Sequence, residues 1–363
     1  MSAPAARLTI DLDALAHNYT ALKSHAGQAE MAPVVKADGY GLGAGPVARR
    51  LWAEGARRFF VARLSEGETL RAALGPQRPA IIHVLDGFTA GAGPALAASN
   101  LTPALTSLDQ IAAAQTFALV TGGPIEVGLH VDTGMNRQGL TYDEARAVAQ
   151  APDRLKGMTV SLIMSHLGSA TTPADPRNIA QLQRFQTVRA LFPDAKASLA
   201  ASAGIFLGDA YRFDIVRPGV SLYGGGPEER TDARLRTVAI LQAPILDIRV
   251  IRTGETLGYG AGVVVAQPTR VAIVGAGYAD GVIRAARGCG EAWVGGKRRP
   301  MLVVNMDLIV IDIGDTPAQV GDQVELLGPN ALLDDLATAG GTVAHEILVR
   351  LSARAERAYL GQV

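Results

Sequence analysis

Between residue 9 and about residue 235 the chain alternates short, wholly aliphatic runs with longer stretches of helical spacing. APVVK, RFFVA, AIIHV, IEVGLHV and MTVSLIMSH are of the first kind; DLDALAHNYTALKSH, GPVARRLWAEGA, SLDQIAAAQTFAL and IAQLQRFQTVRALF are of the second. A strand that is apolar throughout has no face to give to water, so it must be covered on both sides, and amphipathic helices between such strands supply the cover of a parallel sheet. About eight strand–helix units fit into residues 1–235, which predicts an α/β TIM-like (β/α)8 barrel rather than an open doubly wound sheet. After GGPEERTDARLR the helices thin out. APILDIRVIRT, RVAIVGAG, MLVVNMDLIVIDIG and DQVELLGP are short, β-branched and separated by Gly, Asp or Pro, which predicts a mainly β C-terminal domain over residues 236–363. A helix near DLATAG and a last strand or helix between Ala344 and Tyr359 complete it.

In such a barrel the residues just beyond the strand ends carry the chemistry. Lys36 follows PVV, Arg137 follows EVGLHVDTGMN, His166 follows SLIMS and Arg217 follows FDIV. Each is either a polar cap or a working group. In PVVKADGYGLG the lysine leaves a buried strand and enters a glycine-rich turn. An amine in a dry pocket loses part of its preference for the ammonium form and can attack a carbonyl carbon to form a Schiff base; a salt bridge closing the strand is the other reading. LAASAG, with Ser202, and IVRPGVSLYGG, with Arg217, Pro218, Gly219 and Tyr223, suggest a phosphorylated ligand near the last barrel strands. In the second domain Tyr259 lies between glycines in ETLGYGAG, Tyr278 follows in VGAGYADGVIR, and Met306–Asp307 interrupts an aliphatic run, where a carboxylate needs a partner or a task.

Composition narrows the choice mainly by exclusion. Lys plus Arg and Asp plus Glu number 34 each, so nothing favours a polyanionic partner such as nucleic acid. The glycines of GLGAG sit too far from the strand for a dinucleotide fingerprint, and RFFVARL ends in arginine where a ribose-binding acid belongs. DTG at Asp132–Gly134 occurs once, whereas acid-protease chemistry needs two carboxylates. The six histidines show no HxxxH or HxH spacing, and the single cysteine, Cys289, has no partner for an internal disulfide, so no metal site is expected. With no apolar stretch bounded like a membrane span, the chain is expected to be soluble and cytoplasmic, without a nucleic-acid or membrane partner.

With VVKADGYGLG, VDTGMNRQG, SHLGSA, VRPGVSLYG, LGYGAG, GYADG and NMD in this order, the chain resembles the alanine racemases, and the resemblance runs from about Thr9 to Tyr359. The alanine racemases are pyridoxal phosphate enzymes built of a TIM-like barrel and a C-terminal β domain. The resemblance implies that Lys36 carries the cofactor and serves as acid/base on one face of the substrate, with Tyr259 as its counterpart on the other face, contributed by the second subunit of a homodimer. It implies that Arg217 hydrogen-bonds the pyridine nitrogen, keeping it unprotonated, and that Tyr40, Ser202, Gly219, Val220 and Tyr278 hold or surround the phosphate. By the same resemblance His166 lies beside the ring, Arg137 is poised between the substrate carboxylate and the tyrosine, and Met306 and Asp307 approach the carboxylate from the partner. The implied reaction is interconversion of L- and D-alanine by two-base α-proton transfer, in D-alanine supply or breakdown. A broad-specificity amino-acid racemase is the first alternative, and a decarboxylase or a non-catalytic cofactor binder the others. Three departures bear on this: His130 replaces a lysine that supports the arginine in many family members, Val303 replaces an arginine, and Ala353 replaces a tyrosine of some members near the entrance. The last two raise the expectation of a wider substrate range.

Overall fold

The protein is described from a computed structural model covering residues 6–259, 262–351 and 353–362. Its residues fall into two compact units: Tyr19–Gly39 with Gly43–Leu222, and the residues through Asn18 with Tyr40–Leu42 and Tyr223–Gln362.

The first described elements are strand β1 (Arg7–Asp11) and the helix Leu12–Ala26. The first unit then supplies β2 (Glu30–Met31), β3 (Arg58–Val61), β4 (Ile81–Val84), β5 (Leu101–Leu105), β6 (Ile125–His130), β7 (Met158–Met164), β8 (Lys196–Ser198) and β9 (Ile215–Val216). β3 to β8 form a parallel sheet in sequence order, and β2 pairs with β9 in parallel. Parallel bridges Val34–Phe60 and Ala201–Arg217 join these two sheets on either side, so the eight strands make a ring. The helices Ala44–Ala53, Leu64–Leu74, Leu108–Thr121 and Pro176–Arg189 come after β2, β3, β5 and β7. Full burial of all four β3 residues and all five of β5 shows why these runs carry no alternation: they are covered on both faces. At the strand starts, Glu30 joins Arg58 (3.1 Å) to Lys196 (2.7 Å), which ties β2, β3 and β8 together at the N-terminal face of the ring.

The second unit adds to β1 the strands β10 (Ala239–Ile251), β11 (Thr256–Leu257), β12 (Val263–Val264), β13 (Thr269–Val274), β14 (Glu291–Val294), β15 (Lys297–Val304), β16 (Ile309–Asp312), β17 (Gln323–Leu327) and β18 (Glu356–Leu360). Eight of them form one sheet in the order β13-β16-β15-β14-β17-β10-β1-β18 with an additional β13–β10 pairing. The long β10 pairs with β17 along its first half and with β13 along its second. A register shift between Ile245 and Asp247 turns the strand, and six strands close into an antiparallel barrel. The Ala344–Tyr359 segment supplies both elements foreseen there, the helix Ala344–Arg350 and β18.

The division into units differs from the one expected at residue 235. β1 pairs antiparallel with β10 and parallel with β18, so the first residues join the C-terminal sheet. The reason lies in RLTID itself: Leu8 and Ile10 are fully buried while Arg7 is exposed and Thr9 and Asp11 half-buried. That one-sided pattern suits a sheet with one open face and not a barrel strand covered on both.

Candidate active site

Lys36 follows the last ladder bond of its strand, from Val35 N–H to Phe60 O (2.9 Å). The next four residues, Ala37, Asp38, Gly39 and Tyr40, all have φ between 51° and 63°, a left-handed turn in which only one residue is glycine. Left-handed backbone costs roughly 1–2 kcal/mol per non-glycine residue. Offsetting hydrogen bonds of about 1 kcal/mol each are present. Glu66 Oε1 accepts from Ala37 N–H (2.9 Å), Asp38 Oδ1 accepts from Ala44 N–H (2.8 Å) and Val35 O accepts from Gly39 N–H (2.9 Å). The turn is thus strained backbone held by its surroundings, a condition found mostly at functional sites. It presents a lysine that burial, then the charge of Arg137, pushes below the ordinary lysine pKa, against a smaller opposite pull from Glu66. The shift raises the share of unprotonated amine, the form that carbonyl chemistry requires.

Arg217 leaves β9 fully buried, and burial lowers its pKa to about 10. Its guanidinium stays charged near neutral pH. Its acceptors among the described residues are all neutral: Ser198 Oγ (2.5 Å), Ser165 O (2.6 Å), Leu199 O (3.4 Å) and His166 Nδ1 (3.5 Å). Burial and the charges of Arg217 and Arg137 hold His166 well below the usual histidine pKa, so a neutral imidazole stands beside the guanidinium. His130 is likewise driven to about 4 by burial and then by the two arginines, and its buried Nδ1 has no hydrogen-bond partner among the described residues. Deeper in the ring, His83 accepts from Arg58 Nη1 (2.7 Å) and stacks on Phe60 at 4.6 Å, with Arg217 5.9 Å from the same phenyl ring.

Ser198 was not foreseen, since KAS reads as an ordinary strand end. Its fully buried hydroxyl donates to Ile215 O (2.7 Å), which turns its lone pairs toward Arg217. Ser198→Ala is expected to leave a buried guanidinium N–H without its acceptor and to cost about 1–3 kcal/mol, read by urea unfolding. An unchanged midpoint and slope would remove Ser198 from the support of Arg217.

Beyond β8 and β9, Ser202 Oγ accepts from the backbone N–H of Gly219 (2.9 Å) and Ser221 (3.3 Å), with Val220 between them. The buried Ser221 hydroxyl has no hydrogen-bond partner among the described residues. Backbone donors and hydroxyls converging on one loop are the donor set for a phosphate. Together with the depressed amine of Lys36 and a buried guanidinium able only to donate, they fit a phosphorylated carbonyl compound with a basic ring nitrogen.

Arg137 is exposed on the loop after β6. Asp132 Oδ1 caps that loop by accepting from Gly134 N–H (2.8 Å) and Met135 N–H (2.9 Å). Among the described residues Arg137 has no ion-pair partner, and a neutral His130 offers none. Lys36, Arg137, His130, His166 and Arg217 nevertheless act on one another electrostatically, so the strand ends bring these candidates together.

The remaining candidates belong to the second unit. Tyr40 is buried against Tyr223 (4.6 Å between ring centres) and near His345 (5.8 Å), and burial raises its hydroxyl pKa, keeping it a donor. The following Gly41, at φ 81°, lies where a Cβ would meet Leu348 O at 2.8 Å. Tyr259, Tyr278, Met306 and Asp307 line one recess of about 660 Å³ together with Arg284. Two turns interlock to shape it, Tyr278 N–H donating to Asn305 O (2.9 Å) and Ala279 N–H to Met306 O (3.0 Å). A Cβ on Gly277 would lie 2.2 Å from Met306 O. Arg354 spans the pair by donating to both Asp280 and Asp307, a clasp that sequence reading missed. Val303 does not line this recess. It packs with Leu257, Val265, Val271 and Val310 beneath the Tyr259 segment, where a Gly258 Cβ would meet it at 3.3 Å. Ala353 is exposed.

Residues 10–227 match the family model for the alanine racemase N-terminal domain, and residues 238–359 that for the alanine racemase C-terminal domain. The alanine racemase of Methylobacterium nodulans is 44% identical over 99% of this chain and 97% of its own length; that of Rhizobium meliloti is 40% identical over 98% and 97%. A crystal structure of alanine racemase from Bartonella henselae with covalently bound pyridoxal phosphate superposes with a TM-score of 0.93 at 35% identity, covering 99% of this chain and 100% of that one. Both domain models in their proper order, near-complete mutual coverage and the same fold lead to one conclusion: the chain belongs to the alanine racemase family.

Proposed function

We propose that the chain is a pyridoxal phosphate-dependent racemase that interconverts L- and D-alanine, acting in the cytoplasm as a homodimer with shared sites. The observation that carries this reading is Lys36, a strand-end amine on a strained turn whose protonated form is disfavoured by burial and by Arg137. When bound, pyridoxal phosphate supplies an electron sink that lets the α proton of an amino acid leave near neutral pH. The chain does the rest. Ser202 and the backbone of Gly219 and Val220, with Tyr40 and Tyr278, hold the phosphate. Arg217 donates to the ring nitrogen, and neutral His166 lies beside the ring. Arg137 takes the substrate carboxylate, with Met306 and Asp307 of the partner subunit nearby.

Racemisation needs a proton removed from one face of a planar carbon and returned to the other, so two acid/base groups are the minimum. Lys36 Nζ is the group on one face. Tyr259 Oη, from the partner, is the group on the other. Exposure supports the dimer: Tyr259 is 85% exposed, and Met306 and Leu308 are exposed around the same recess. Aromatic and apolar side chains gathered in a concavity suit an interface. Among the described residues no helix is long and apolar enough to cross a membrane.

A small, exposed Ala353 favours, as second reading, a racemase admitting larger amino acids. The test is incubation of the purified protein with pyridoxal phosphate and L-alanine, L-serine or L-lysine in separate samples, followed by chiral chromatography. D-alanine as the dominant product supports the first reading; faster serine or lysine turnover replaces it with the second. Loss of carbon dioxide without a change of hand would point to a decarboxylase, and no turnover to a cofactor binder.

A further inference from the structure

Among the described residues Arg137 has no anionic partner of its own, yet its loop, capped by Asp132, is not loose. Three residues of the helix Pro176–Arg189, spaced four and three apart and therefore on one helix face, reach it. Arg177 Nη2 donates to Gly134 O (3.4 Å), Gln181 Nε2 to Thr133 Oγ1 (3.4 Å) and Arg184 Nη1 to Thr133 O (3.1 Å). Gln181, only 1% exposed, also serves the neighbouring strand-end segment: Nε2 donates to His166 O (3.0 Å) and Oε1 accepts from Gly168 N–H (2.8 Å). The buried hydroxyls of Thr133 and Ser165 meet at 2.8 Å between the two segments, and Ser165 O is itself an acceptor of Arg217. Both arginine side chains lie close over glycines of the two segments. A Cβ on Gly134 would lie 2.6 Å from Arg184 Nη1, and one on Gly168 2.9 Å from Arg177 Nη2.

We propose that Gln181, with Thr133, is a positioning residue that sets the height and direction of the Arg137 loop relative to His166 and Arg217, giving Arg137 by neutral hydrogen bonds the orientation an anionic partner would otherwise supply. The inference rests on the reading that Arg137 binds the substrate carboxylate. One buried amide can fix two segments at once because it carries two donors and an acceptor, and it does so without placing a negative charge beside Arg137 that would compete with the substrate.

The test compares holoenzyme variants by KM and kcat for L-alanine, inhibition by propionate, which offers a carboxylate without an amine, and cofactor content by absorbance. Gln181→Met keeps the bulk and removes every hydrogen bond. It is expected to raise KM and the propionate inhibition constant together by about tenfold, with cofactor content unchanged. Thr133→Val should move both in the same direction, and Thr133→Ser should restore them. If Gln181→Met does not fold, the two Thr133 variants decide. Unchanged KM and propionate inhibition in Thr133→Val and in any folded Gln181→Met, beside a clear loss in Arg137→Ala, would overturn the brace and leave the carboxylate reading intact. If Arg137→Ala itself leaves propionate inhibition unchanged, the carboxylate reading falls and takes the inference with it.

Discussion

Lys36→Ala is expected to lower racemisation by roughly 10⁴-fold or more, because it removes a covalent anchor and an acid/base group at once, and the latter alone contributes about 10²–10⁴. The variant should still take up pyridoxal phosphate through Ser202, Gly219 and Arg217, but borohydride should no longer fix the cofactor to the chain. In the wild-type chain freed of cofactor, the rate of cofactor capture should rise with pH. The direction follows from the physics: only the neutral amine attacks, and burial together with Arg137 disfavours the ammonium. Capture therefore declines as pH falls through the depressed Lys36 pKa, and its midpoint should lie below the ordinary lysine value of about 10.4. A midpoint at the ordinary value would mean that the pocket does not tune the amine. Borohydride fixation that survives Lys36→Ala would place the reactive lysine elsewhere.

What the sequence disclosed and what it hid follow from range. Strand-end chemistry was legible because a continuous aliphatic run shows where a barrel strand stops, and Lys36, His166 and Arg217 each stand just past one. The left-handed turn after Lys36 was not, since Ala37, Asp38 and Tyr40 all carry a Cβ that disfavours it. That conformation is imposed from outside, partly by Glu66, 29 residues on from the Ala37 N–H it holds. Gln181 and Arg184 were visible in QLQRF only as polar positions of an amphipathic helix. Their spacing marks a face, but spacing cannot tell a buried polar face from a solvated one. Arg7–Asp11 falls inside the stretch expected to form the barrel, whereas the alternation in RLTID speaks for a one-sided sheet. Val303 stood out as a departure near the substrate, whereas its burial among Leu257, Val271 and Val310 makes it a support of the Tyr259 segment.

Tyr259→Phe removes one oxygen from an exposed side chain, so it is expected to leave folding and cofactor binding intact while lowering racemisation by about 10²–10⁴-fold. The loss should be unequal between the two faces. Exchange of the α hydrogen with deuterated solvent should persist for the enantiomer whose proton Lys36 handles and nearly vanish for the other. Equal exchange from both would contradict the two-face assignment. A mixing experiment separates this role from a local one. If Tyr259 serves the partner's site, a heterodimer of Lys36→Ala and Tyr259→Phe chains holds one site with both mutations and one with neither. Random pairing of equal amounts then restores about a quarter of wild-type activity, since half of the dimers are mixed and each has one sound site out of two. If the tyrosine serves its own chain's lysine, no site in any dimer is complete and activity stays at the level of the single variants. Recovery near a quarter would thus fix both the tyrosine's role and the need for a second subunit, while no recovery from a mixture shown to contain heterodimers would overturn the shared site.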